Sequence, residues 1–196
     1  TYSESDGDLT AWSGEAELCG WVLRSRPADL EWAAGLGAGY LHQDLTWDVS
    51  NVDQWYPQNP EWGHDYIAGQ GASYRVKTKM PYGEAVARVR WRRMSLQAGV
   101  AYTPWLQVED EDDHQLREIK ADGDLDGNGW RLTASWCWEL RWNLFLAARY
   151  EWFRVEADGP SRNTIYGGDG AGESWEIDEE YESSQSLTTL ALGYRF

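Results

Sequence analysis

Alternation of apolar with small or polar residues is the feature of this sequence that most limits its fold, and it is clearest at the carboxyl end. In an extended strand successive side chains point to opposite faces, so every second residue shares a face. From residue 187 onward, one such face is apolar: Leu190, Leu192, Tyr194 and Phe196. Similar alternation recurs along the chain, and no run of about 18 apolar residues is present to form a transmembrane helix. The pattern predicts an all-β fold, either a soluble sandwich or a transmembrane antiparallel outer-membrane β-barrel.

The aromatic composition favours the barrel. The chain has 14 Trp and 11 Tyr but only 3 Phe. Trp and Tyr are enriched at membrane–water interfaces, where an apolar ring and a polar edge are both satisfied. A soluble sandwich buries one apolar face of each sheet, whereas a small barrel has lipid outside and a polar network inside. Charged residues recur at regular positions on the faces opposite the apolar ones, and this arrangement fits the barrel.

The alternation assigns one set of side chains to lipid and another to the lumen. The predicted lipid-facing residues are Leu132, Ala134, Trp136, Leu144, Leu146, Leu190 and Leu192. The predicted lumen network contains Glu15, Glu17, Arg75, Lys77, Arg88, Arg131, Glu139, Arg149 and Glu151. A change of face near Pro81 predicts a β-bulge there, because proline cannot donate to the ladder.

Seven strands are predicted, with short turns at one end of the barrel and long extracellular loops at the other. The short turns include 24–29 and 92–93, and the long loops are about 48–69, 110–128 and 157–182. Short periplasmic turns and longer extracellular loops are typical of outer-membrane barrels. Bacterial barrels have even strand numbers, so the odd count predicts that residues 1–196 form one barrel domain that lacks earlier strands.

The net charge of −16 excludes a general nucleic-acid-binding function, because the phosphate backbone would be repelled. The same charge suits a surface that meets cationic peptides or divalent cations. The two cysteines, Cys19 and Cys137, fall on segments predicted to lie across the barrel from each other. We therefore expect free thiols rather than a disulfide.

Two motifs carry chemical information. Residues 110–114 read Asp-Glu-Asp-Asp-His, and residues 79–82 read Lys-Met-Pro-Tyr. Their order and spacing resemble the omptin family of outer-membrane endopeptidases. Three further segments are similar to that family in order and spacing: 20–23, 38–40 and 193–196. The resemblance covers essentially the whole chain, and it implies that these are the last seven strands of a barrel of about ten.

The resemblance implies an endopeptidase in the bacterial outer membrane that cleaves cationic peptides or proteins at basic residues, with its active face extracellular. On the family pattern His114 is the general base that activates water, and Asp112 orients its imidazole. Asp110 corresponds to the acid that binds a basic side chain beside the scissile bond. The family also requires lipopolysaccharide, and the resemblance assigns Tyr40 and Lys77 to binding this lipid.

Two features depart from the family pattern. The family's Asp pair precedes the first strand predicted here, and Asp6 and Asp8 lie too close to Trp21 to match it, so neither is given that role. On the outer wall, His42 and Asp44 replace an acidic and a basic residue. These departures keep a non-enzymatic alternative open: an omptin-shaped barrel that serves as an adhesin, a scaffold or a partner in an envelope complex. A porin ranks third, because a small barrel with a filled lumen is a poor pore.

The segment 122–128, Asp-Gly-Asp-Leu-Asp-Gly-Asn, resembles the start of a calcium loop. Its twelfth position is Thr133, where a calcium loop requires a bidentate Glu, and it leads into a predicted strand rather than a helix. We interpret the segment as a flexible hairpin tip. We predict no metal site, and no cofactor apart from the lipopolysaccharide requirement.

Overall fold

The computed structural model is all-β, and it describes residues 2–55, 57–58, 61, 63–115 and 117–195. The described strands are β1 (Tyr2–Ser25), β2 (Leu30–Trp55), β3 (His64–Trp91), β4 (Met94–His114), β5 (Ile119–Glu139), β6 (Leu144–Ile165) and β7 (Ser174–Tyr194). A short 3-10 helix, Gly168–Gly170, lies between β6 and β7. No helix in the described part of the chain is long and apolar enough to cross a membrane. Phe196, the last residue of the predicted apolar face, lies outside the described residues.

The seven strands form one antiparallel sheet in sequence order, which confirms the predicted strand number for the described residues. The three segments predicted as long loops, 48–69, 110–128 and 157–182, are instead mostly strand. Charge pairing supports the ladder there: Lys120 lies 2.8 Å from Glu111 and 3.1 Å from Asp122. An acidic composition therefore does not end these strands, because cations on neighbouring positions compensate the charge.

The predicted lipid-facing residues lie on the outer face of the sheet. Leu132, Leu190 and Leu192 are exposed, and none of the seven predicted residues belongs to the hydrophobic core. The core lies on the inner face and consists of Leu41, Val76, Met80, Tyr82, Ala101, Leu106, Val108, Leu125, Phe153, Val155 and Ala157. The outer face is thus apolar without being packed against protein, as a lipid-facing wall requires.

The sheet curls around this inner face. Gln43 Nε2 on β2 donates to Gln185 Oε1 on β7 at 3.2 Å, although β3 to β6 separate these two strands. β1 and β7 are the two edges of the sheet, and no ladder joins them within the described ranges. Cys19 on β1 and Cys137 on β5 are both free, as predicted.

Arg131 is the centre of a polar network inside the curled sheet. Its side chain is 1% exposed, and its guanidinium donates to Glu151 Oε1 at 2.8 Å and to Glu15 Oε2 at 2.8 Å. The Tyr82 hydroxyl accepts a further bond from Nη1 at 3.1 Å. A buried guanidinium needs such partners, because an unpaired buried charge is strongly destabilising. The predicted lumen network is confirmed for Glu15, Arg131 and Glu151.

Arg75 and Lys77 do not belong to that network, contrary to the prediction. Val76 and Thr78 are buried on the inner face, so their neighbours Arg75 and Lys77 point outward. Arg75 forms two bonds to Asp44 on the outer face, at 2.9 and 2.6 Å. Alternation shows that Arg75 and Lys77 share a face, but it cannot show which face. Beyond the apolar band both faces meet water, so charge no longer marks the lumen.

The predicted change of face near Pro81 occurs in the neighbouring strand instead. β3 keeps its inner residues in uninterrupted alternation through this region. In β4, Thr103 and Leu106 are both fully buried, although strict alternation would place them on opposite faces. Pro104 and Trp105 between them are both exposed, and the ladder to β5 shifts register there. The bulge therefore contains Pro104, whose missing N–H the ladder does not need.

Candidate functional site

The bulge in β4 turns the predicted site toward the inner wall. Beyond it Leu106 and Val108 are buried on the inner face, and Asp110, Asp112 and His114 continue the same alternation. These three side chains therefore line the inner wall at the end of the sheet opposite the short turns. The structure brings together the three residues to which the family resemblance assigns catalysis and substrate binding.

Asp112 and His114 are in direct contact. His114 Nε2 lies 3.1 Å from Asp112 Oδ2. A bond from Nε2–H to a carboxylate leaves Nδ1 of a neutral imidazole free to accept a proton. The side chains of His114 and Asp112 are 45% and 32% exposed, so water and substrate can reach them. This is the geometry of a general base oriented by a carboxylate.

Asp110 is buried next to this pair. The residue is 5% exposed, and its Oδ1 atom has no hydrogen-bond partner among the described residues. Gly123, directly opposite on β5, provides the necessary space, because a Cβ there would overlap Asp110 Oδ1. Glu179 on β7 reaches the same space. Burial, followed by the neighbouring Glu179 carboxyl, raises the pKa of Asp110 to about 6.

Aromatic rings form the adjoining wall. Tyr74 on β3 is opposite Asp112 in the ladder, and its ring stacks on Trp47 with centroids 5.8 Å apart. Burial and the nearby Asp110 carboxyl raise the pKa of Tyr74, so its phenol stays neutral. Tyr181 on β7 packs against the same core. The site therefore combines flat apolar surfaces with the buried carboxyl group of Asp110.

Two further polar side chains on β6 complete the inner wall. Ser161 is opposite Gly123 in the ladder, and Asn163 is opposite Ala121. Ser161 Oγ and Asn163 Nδ2 are buried and have no hydrogen-bond partner among the described residues. Buried polar atoms are normally bonded, so these two atoms are available to a ligand.

No sequence pattern predicts Glu179, Ser161 or Asn163 as site residues. All three fall within 157–182, which the sequence pattern predicts as a loop. Their approach to Asp110 depends on pairing across β5, β6 and β7 and on the missing side chain at Gly123. The only sequence signal is a glycine opposite an acid, and it becomes visible only when the register is known.

Tyr40 and Lys77, the predicted lipopolysaccharide-binding residues, lie on the outer face. Tyr40 is 46% exposed, and Lys77 Nζ is 3.8 Å from Glu109 Oε2. Asp44 is opposite Lys77 in the ladder but is held by Arg75 at 2.6 Å. The outer wall at this level therefore carries cations and carboxylates that already pair with each other.

In the part of the chain that the structure describes, the other acidic motifs do not add a metal site. Segment 122–128 is part of β5 rather than the predicted hairpin tip, because residues 122–127 pair with β4, and its Gly123 lies opposite Asp110. Within the described ranges, no group of three or more His, Cys, Asp or Glu side chains could hold a metal ion. Asp6 accepts a bond from Asn51 Nδ2 at 2.8 Å, and Asp8 is exposed on β1.

Comparisons with known proteins identify the family and the fold. The sequence profile of the Omptin family matches residues 9–196. The plasminogen activator of Yersinia pestis is 24% identical over 100 residues, which cover 51% of this chain and 31% of that relative, about a third of its length. The crystal structure of the outer membrane protease OmpT from Escherichia coli has a TM-score of 0.76 at 19% identity, covering 99% of this chain and 68% of the OmpT chain.

The two kinds of likeness support different conclusions. At 19% identity the similarity to OmpT shows the fold alone. The family match extends over nearly the whole chain and includes β2 to β7 and most of β1. The chain therefore belongs to the omptin family of outer-membrane proteases, and its β-barrel lies in the bacterial outer membrane.

Proposed function

We propose that this protein is an endopeptidase that cleaves peptides beside a basic residue at the cell surface. The observation that carries the proposal is the Asp112–His114 pair, 3.1 Å apart on an accessible inner wall beside a buried carboxyl group. The pair lies at the end of the barrel opposite the short turns. Short turns are periplasmic in barrels of this class, so the site faces outward from the cell.

His114 acts as the general base in this mechanism. Its Nδ1 accepts a proton from water while the water oxygen attacks the carbonyl carbon of the peptide. The Asp112 carboxylate stabilises the resulting imidazolium through Nε2. As the C–N bond breaks, the proton passes from His114 to the leaving amine. One water is consumed, and the neutral imidazole is restored.

Asp110 and Glu179 bind the basic side chain of the substrate. Burial and the repulsion between these two carboxyl groups make ionisation of Asp110 unfavourable. A guanidinium or ammonium group supplies the missing positive charge, and it donates to the unpaired Asp110 Oδ1. The rings of Tyr74 and Trp47 suit the apolar stem of such a side chain. The site therefore selects Arg or Lys in two ways: its carboxyl groups attract the positive charge, and their oxygens replace the water molecules that the basic group loses on binding.

Lipopolysaccharide is the proposed lipid partner on the outer wall. Tyr40 suits the membrane interface, and the Lys77 ammonium suits a lipid phosphate. Because Lys77 already contacts Glu109, the phosphate must compete with that carboxylate. We therefore expect Lys77→Gln to raise the lipopolysaccharide concentration needed for half-maximal activity by less than about tenfold.

The proposal is tested with the intact protein in lipopolysaccharide-containing detergent and two matched peptides. One peptide carries two adjacent arginines, and the other carries the neutral isostere citrulline at both positions. Mass spectrometry of the products identifies the cleaved bond. We expect cleavage of the arginine peptide near neutral pH, and a rate for the citrulline peptide that is lower by about 10²-fold or more. No cleavage of either peptide by folded protein would overturn the proposal in favour of a non-enzymatic barrel.

A further inference from the structure

Basic residues are concentrated at the short-turn end of the barrel. The segments 24–31, 88–95, 137–143 and 193–195 contain eight of the 17 basic residues of the chain but only three of its 33 acidic residues. All eight are arginines, and we call them the arginine rim: Arg24, Arg26, Arg88, Arg90, Arg92, Arg93, Arg141 and Arg195. One end of a protein with a net charge of −16 is therefore positive.

Aromatic and aliphatic side chains place this rim at a membrane boundary. Trp91 and Trp142 are 50% and 81% exposed beside the turns, and Trp105 is 73% exposed further along β4. The stretch from Met94 to Trp105 is about 36 Å long at a rise of about 3.3 Å per residue. At a strand tilt of about 40° it spans about 28 Å, close to the apolar band of an outer-membrane barrel. The rim therefore lies at the headgroup level of the periplasmic leaflet.

The arginines line two adjoining concave surfaces. One has a volume of about 240 Å³ and is lined by Arg26, Ala28, Asp29, Glu31, Arg90 and Arg92. The other, of about 210 Å³, opens on the inner face: it shares Arg90 and Glu31 with the first and is also lined by Arg88, Arg93, Cys137, Glu139 and Arg195. Guanidinium groups that converge on a hollow suit the oxygens of a phosphate group.

The carboxylates at this end neutralise only part of the positive charge. Arg92 Nε lies 3.4 Å from Asp29 Oδ2, and both side chains are more than half exposed. Glu139 is shared by two arginines, at 3.6 Å from Arg90 and 3.0 Å from Arg195. The ion pairs of the described residues include none for the other turn arginines: Arg24, Arg26, Arg93 and Arg141.

We propose that the turn arginines of the rim, Arg26, Arg92 and Arg93, bind the phosphate groups of anionic phospholipids in the periplasmic leaflet. Arg26 and Arg92 hold the headgroup phosphate at the turn side of the first hollow. Arg90 lies on the inner face instead, because strand alternation sets it on the face opposite to that of Val89 and Trp91. The exposed outer side chains of Leu30, Trp32, Val89 and Trp91 contact the acyl chains. The Arg92 guanidinium lies over the Trp91 ring at 5.3 Å and so links the two regions. This proposal rests on the outer-membrane location and not on protease activity.

The test measures lipid selectivity in reconstituted protein. Intact protein is inserted into vesicles of phosphatidylcholine mixed with phosphatidylglycerol, one of the two lipids carrying brominated chains. Bromine quenches the tryptophans near the rim, so the relative binding constants of the two lipids follow from tryptophan fluorescence. We expect a preference for phosphatidylglycerol of about fivefold or more, because basic side chains near the membrane surface attract anionic lipids.

Variants locate this selectivity. The triple variant Arg26→Gln, Arg92→Gln, Arg93→Gln should reduce the preference to less than about twofold, whereas lysine at the same positions should retain most of it. The matched control Arg75→Gln, Arg154→Gln, Arg162→Gln removes the same charge at the other end and should leave the preference unchanged. Heat-modifiable migration in gels confirms that each variant is folded.

Three results would overturn the proposal. The first is a wild-type protein without lipid preference, and the second is a folded glutamine variant of the rim that retains the preference. The third is loss of the preference in excess inorganic phosphate, since this would identify a site for small anions rather than for lipid headgroups. Preference in the wild type and the control, but not in the rim variant, supports the proposal.

Discussion

At the scale of single residues, Asp110 couples the site to pH. Its pKa in the folded protein is about 6, above the ordinary value of 3.8, so the folded state binds more protons than the unfolded state between these values. The free energy of unfolding therefore falls as pH rises through this window. Asp110→Asn should be more stable than wild type at pH 8 by on the order of 2 kcal/mol, with almost no difference near pH 3.5. Urea unfolding in lipid vesicles measures this, and an equal difference at both pH values would contradict it.

The same titration should appear in substrate binding. Asp110 carries its negative charge only above about pH 6, so KM for a dibasic peptide should rise as pH falls below that value. Asp110→Asn should remove this pH dependence of KM. A KM profile that is the same in wild type and variant would show that Asp110 does not bind the basic side chain.

Gly123 provides the space that Asp110 occupies. A Cβ at Gly123 would overlap Asp110 Oδ1, whereas a Cβ at Gly7 on β1 would meet nothing within 4 Å. Gly123→Ala should therefore raise KM for a dibasic peptide by about tenfold, equivalent to about 1.4 kcal/mol, with a smaller change in kcat. Gly7→Ala is the control and should leave both constants unchanged. Equal kinetics for the two variants would argue against a binding role for Asp110.

Site contacts between residues close in sequence were predictable from the sequence. Contacts that depend on the register between strands were not. Asp112 and His114 are two positions apart on one strand, so alternation alone places them on the same face. Glu179 lies on β7 and reaches Asp110 on β4 across Gly123. No local pattern distinguishes Glu179 from the other acids of its segment, because the contact depends on pairings between strands.

At the scale of elements, the bulge at Pro104 and Trp105 determines which way the site faces. Deleting Trp105 alone leaves Pro104 as one outward residue between Thr103 and Leu106, so both halves of β4 keep their faces. Deleting both residues places Leu106 directly after Thr103 and turns Asp112 and His114 outward. We expect the single deletion to retain activity within about tenfold and the double deletion to lose at least about 10²-fold. Similar peptide-cleavage rates in the two folded variants would contradict this account of β4.

The existence of each strand was predictable from the sequence. The residues at which the strands end, and the face on which Arg75 and Lys77 lie, were not. The period-two pattern indicated every strand within the apolar band. It failed at 110–128 because paired charges, such as those around Lys120, support a ladder without apolar residues. The pattern also placed Arg75 on the wrong face. Beyond the apolar band both faces of a strand meet water, so a charged residue there can lie on either face.

At the scale of the whole molecule, Arg131 links β1 and β5 through the interior. Arg131→Met would leave Glu15 and Glu151 without their buried partner, and it should lower the free energy of unfolding by about 3 kcal/mol or more. Arg149→Met is the matched control: Arg149 also pairs with Glu151 but is 53% exposed, so its loss should cost less than about 1 kcal/mol. Urea unfolding in vesicles compares the two variants. Equal losses would show that the interior network does not stabilise the curled sheet.

If His114 activates water for peptide hydrolysis, the initial rate of dibasic-peptide cleavage by His114→Ala in lipopolysaccharide-containing detergent measures its contribution directly. His42→Ala, on the outer face, is the control. We expect a loss of at least about 10²-fold for His114→Ala, the usual scale for a general base, and a rate close to wild type for His42→Ala. An undiminished rate in folded His114→Ala protein would show that His114 is not the general base.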